Sequence, residues 1–127
     1  MKNRDIYELA LHLLAEPVRK GGLEEYDVRA PYLLGNFFYE NSALDDRYRE
    51  IFGLEPRKYT HAVFVDLEAE FPFAECFVSA AGYYLASALV IDDDEELADK
   101  MFDKFSIAMS KIISEIPAVS ESIIEIY

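Results

Sequence analysis

The residues of this 127-residue chain whose types could do chemistry are two histidines, one cysteine and a run of five acids. His12 follows Glu8 by four residues, a spacing that puts both on one face of a helix and could supply two metal ligands. A zinc site needs three or four ligands, and the same spacing suits a solvated surface pair. His61 has no second histidine or cysteine at ligand spacing. Cys76 sits in an apolar stretch without a flanking base, so it reads as a buried structural thiol and not as a nucleophile. A calcium loop starting at Asp92 would need glycine at its sixth position and glutamate at its twelfth, which here hold Leu97 and Asp103. The acids therefore read as a helix start, with Asp93 or Asp94 as the cap and Glu95 and Glu96 in the first turn, where the helix dipole favours negative charge. No serine lies in a nucleophile elbow, and Gly21 and Gly22 mark a turn, not a phosphate-binding loop. The expectation is a protein that is not an enzyme and holds no metal or cofactor.

The elements that must position these residues read as helices interrupted by one extended segment. Ile6, Leu9, Ala10, Leu13 and Leu14 recur at helical spacing, with Asn3 as the candidate cap, and Pro17 with Gly21 and Gly22 ends that helix. A second helix is expected over Arg29 to Asn41, with Pro31 in its first turn and Leu33, Leu34, Phe37 and Phe38 as its buried stripe. Ser42 and Asp45 resemble a capping box that opens a third helix carrying Leu44, Tyr48, Ile51 and Phe52, with Gly53 as its stop. Thr60 to Leu67 is β-branched and aromatic and is expected as a strand. From Phe73 to Ile91 nearly every face is apolar or small, which predicts a central helix packed on several sides. Its uncharged part, Cys76 to Ile91, is shorter than the roughly 20 residues that a bilayer core requires, so a membrane span is rejected. Ala80, Ala81, Gly82 and Ala86 are expected to admit close helix packing. Leu97, Ala98, Met101, Phe105, Ala108 and Ile112 then form the stripe of a second arm, so the two helices make a hairpin with the acids at its corner. Pro117 should end that arm.

The fold class expected is therefore mainly α: a small helical bundle with a central apolar helix, a C-terminal hairpin and one short extended or β segment near 60–67. We expect a single domain over 1–127, an extended arm over 54–72 and a docking tail over 118–127. In that tail, Ile123, Ile124, Ile126 and Tyr127 are apolar enough to need a covering surface.

Charge narrows the function classes. The chain carries 12 basic and 25 acidic residues, a net charge of −13. Met1 to Phe64 holds nine basic residues against eleven acids, net −2, whereas Val65 to Tyr127 holds three against fourteen, net −11. Such a field repels phosphate backbones and anionic membranes, so neither direct nucleic-acid binding nor a membrane surface is expected. Nothing at Met1 to Leu14 has the pattern of a secretory signal, and one cysteine cannot form an internal disulfide, so a cytoplasmic location is expected.

The Phe71 to Phe105 segment resembles a hairpin of the small head-tail connector or adaptor proteins of tailed phages. The matching positions are Pro72, Ala80, Ala81, Tyr83, Tyr84, Leu85, Ala86, Leu89, Asp93, Asp94, Leu97 and Ala98, about a third of the chain. The resemblance implies a non-enzymatic subunit of a ring between portal and tail through which DNA passes. It also implies self-association and phage portal or tail proteins as partners, in the host cytoplasm and possibly in the virion. An acidic lining suits such a conduit, because every phosphate contact would retard a sliding duplex. The alternative is an acidic DNA mimic or helical regulator that occupies a basic partner.

Overall fold

The computed structural model describes residues 1–14, 23–58 and 63–116. They form a small, mainly helical bundle of four α-helices without a sheet. These are α1 (Asn3–Leu13), α2 (Leu23–Ile51), α3 (Val78–Val90) and α4 (Glu95–Ser114), with a 3₁₀ turn at Glu75–Phe77 leading into α3.

The apolar stretch after Cys76 becomes the centre of the bundle, as its all-round hydrophobicity predicts, and α1, α2 and α4 each pack on α3. Ala80, Ala81, Gly82, Leu85, Ala86, Ser87, Leu89 and Val90 are all buried. The small residues let neighbours approach. A Cβ built on Gly82 would lie 2.7 Å from Leu9 Cδ2 on α1, so glycine there makes room for a side chain of the facing helix. The hairpin of α3 and α4 is tied at its corner by Ser87 Oγ, which donates to the Ala98 carbonyl at 2.9 Å.

Four local expectations are corrected. The second and third expected helices are one, α2, 29 residues long and so about 43 Å end to end. Ser42 lies in its interior, where its hydroxyl donates back to the Phe38 carbonyl instead of capping, and Asp45 is buried against arginines. Pro31 is likewise inside α2 and not in its first turn. The cap of α1 is Lys2, whose N–H donates to Asp5 Oδ2 at 2.8 Å, while Asn3 is the first helical residue and its side chain donates to the Asp66 carbonyl at 3.0 Å. The central helix starts at Val78, not Phe73: Ala74 is extended at φ −59°, ψ 151°, with its N–H bound to Asp45 Oδ1 at 2.9 Å, and Glu75–Phe77 forms a 3₁₀ turn before the α-helix. Finally, residues 63–67 form no strand; the rest of the expected strand, 60–62, lies outside the described residues. The backbone bonds of this region go to helices: Val65 N–H to the Pro31 carbonyl at 3.3 Å, and Arg4 N–H to the Leu67 carbonyl at 2.8 Å. Among the described residues the only β pairing is a single antiparallel bridge between Lys2 and Glu70. With no partner strand to supply a ladder, β propensity alone does not make a strand.

Gly53, at φ +66°, ends α2 as expected, since a left-handed residue terminates a helix without a Cβ penalty. From there the chain returns to the bundle under one buried carboxylate. Asp45 is fully buried and accepts from Arg49 Nε at 3.0 Å, from Arg57 Nη1 at 3.2 Å and from the Ala74 N–H. Arg49 also donates to the Glu55 and Pro72 carbonyls, at 2.9 and 2.8 Å. Arg57 reaches Asp46 at 3.2 Å, and its guanidinium sits 5.1 Å from the centre of the Phe73 ring. Beside this group runs an aromatic cluster in which Phe37 touches Phe38, Phe73, Tyr84 and Phe105.

Two substitutions test this packing. Gly82→Leu should overpack the α1–α3 contact and cost about 1–3 kcal/mol in a thermal melt, whereas an unchanged melt would contradict the close approach. Asp45→Asn removes the buried charge that the part-buried guanidinium groups of Arg49 and Arg57 share and should cost about 3–5 kcal/mol in urea unfolding; a loss below 1 kcal/mol would show that the arginines are satisfied without it.

Candidate interaction surfaces

The acidic corner is built as a helix start. Asp94 is the cap of α4: its Oδ1 accepts from the Leu97 N–H at 3.0 Å, with Glu95 and Glu96 in the first turn. Asp93, the other candidate cap, has a different partner, accepting at 2.5 Å from the hydroxyl of Tyr26 on α2. Next to it Arg29 donates to the Ala88 and Leu89 carbonyls at 2.9 and 3.4 Å, satisfying the end of α3 and placing a cation at the negative pole of its dipole. The corner therefore docks the hairpin onto α2. Among the described residues no group of three or more His, Cys, Asp or Glu side chains is arranged to hold a metal ion.

A second tyrosine–carboxylate pair does the same for α1, where the Tyr7 hydroxyl donates to Asp27 of α2. Tyr7 and Tyr26 are almost wholly buried. Burial, reinforced by the hydrogen bond to Asp27 or Asp93, pushes both hydroxyls well above the usual tyrosine range. Sequence reading missed both pairs and also the Asp45 group. Arg49 four residues after Asp45 is a signal for the latter, but the tyrosine pairs join residues 20 and 67 apart and carry no local spacing.

The remaining candidate residues are accounted for one by one. His12 and Glu8 are exposed on α1. Cys76 is half-buried beside Tyr48, and burial pushes its thiol up, which disfavours the thiolate. His61 and the tail residues Ile123, Ile124, Ile126 and Tyr127 lie outside the described residues. No described helix is long and apolar enough to cross a membrane.

No protein family, curated protein or solved structure matches this chain. What the chain can do must therefore be argued from its surface.

Two surfaces stand out. On α4, Glu95, Asp99 and Asp103 are exposed and fall on one stripe at four-residue spacing, bordered by a second stripe of exposed Lys100, Lys104 and Lys111. On α2, Val28, Tyr32 and Tyr39 are exposed along one line of the helix, and Val63 and Phe64 are exposed on the segment that follows. Tyr32 and Phe64 meet edge to face, ring centres 5.1 Å apart, so helix and segment share one apolar face.

The buried tyrosines predict an alkaline limit. The unfolded chain loses its tyrosine protons near pH 10 and the folded one does not, so the stability these groups contribute is complete below that pH and falls as pH rises above it. Tyr26→Phe should cost about 1.5–3 kcal/mol near neutral pH through the lost bond to a charged acceptor, and should also flatten the alkaline decline in urea unfolding. Parallel pH profiles for the two proteins would contradict the assignment.

Proposed function

We propose that this protein is a non-enzymatic assembly subunit, and that the assembly is a head-tail connector ring of a tailed phage or prophage through which DNA passes. The supporting observation is the separation of two surface chemistries on different helices: an apolar aromatic face on α2 and its flanking segment, and an acidic stripe on α4. An association face must be apolar to bury area, and a lining past which DNA slides must not bind phosphate. A subunit that carries both has the two surfaces a conduit needs. The resemblance of residues 71–105 to connector hairpins supplies the phage context, and the apolar residues 118–127 supply a segment to dock on a neighbouring subunit or on the portal.

The DNA-mimic reading asks for carboxylates at duplex-like spacing over one continuous surface. Lys100, Lys104 and Lys111 run alongside the acids of α4 and break such a surface; since lysines contact phosphate, they count equally against α4 alone as the lining, so the ring reading leans on the apolar face of α2.

Co-expression with the adjacent phage portal and tail genes, with and without residues 118–127, tests the proposal. A ring that co-purifies with portal or tail only when 118–127 are present, seen by light scattering and electron microscopy, is the expected result. Capture of a basic DNA-binding protein, with no ring and no portal or tail partner, would overturn it.

A further inference from the structure

We draw no further inference here: the strongest candidate, the exposed apolar face of α2 at Val28, Tyr32 and Tyr39, carries nothing more because nothing in the structure shows what covers it.

Discussion

The fold depends on one buried carboxylate. Asp45 lies three-quarters of the way along α2 and binds three groups that come from different parts of the chain: Arg49 one turn on, Arg57 on the segment after the helix, and the backbone at Ala74 just before α3. A charge with zero exposure is tolerated only when its lone pairs are occupied and its partners bring opposite charge. Both conditions are met here, and meeting them fixes where the chain must go. Arg49 can satisfy Asp45, Glu55 and Pro72 together only if the segment from Glu55 to Pro72 turns back onto the end of α2. The approach to the next helix is anchored as well: Asp45 binds the N–H of extended Ala74, directly before the turn at 75–77 that leads into α3.

The small-residue helix α3 exploits that placement. Once its start is pinned, alanines and Gly82 on its surface let α1 come in on one side while leucines and aromatics fill the others. Direction is then secured by polar contacts at the far end of α3. Tyr26 to Asp93 and Arg29 to the last carbonyls of α3 join the start of α2 to the corner of the hairpin, opposite the Asp45 group. The core is apolar, and the pairs at its two ends decide which of several similar helix packings forms. That division is expected where alanine-rich surfaces can slide past one another without much change in buried area.

How much of this was legible in the sequence follows the range of each interaction. The stripes of α1 and α4, the multi-sided packing of α3, its run of small residues around Gly82 and the cap at Asp94 all depend on residues within a few positions of one another, and periodicity exposes them, though not that the residue facing Gly82 is Leu9. The break expected at Ser42 failed because a serine with an acid three residues later looks alike whether it caps a helix or bonds back within one. What decided between them was Asp45 finding Arg57 and Ala74, the latter 29 positions away. Over its described part, 63–67, the expected strand failed for a related reason, since a strand exists only with a partner and the chain offers its N-terminus to 67–71 instead. The exposed face of α2 was invisible for a different cause: Val28, Tyr32 and Tyr39 are apolar, and in a sequence an apolar residue that faces water cannot be told from one that faces the core.

The distribution of charge follows the connecting segments more than the helices. A net charge of −13 spread evenly would oppose both folding and any contact between copies. Here eleven of the thirteen negative charges come from the second half of the chain, and the five acids that open α4 are accommodated because one caps the helix, one binds a tyrosine and the others lie at the positive end of its dipole. The excess acid of the second half lies mostly off its helices, at Asp66, Glu68, Glu70, Glu75 and Asp92 to Asp94, whereas α2 carries seven acids against three arginines and α4 four acids against three lysines. The gradient is therefore a property of the connecting segments and of the hairpin corner, where a helix dipole and a buried tyrosine stabilise the carboxylates.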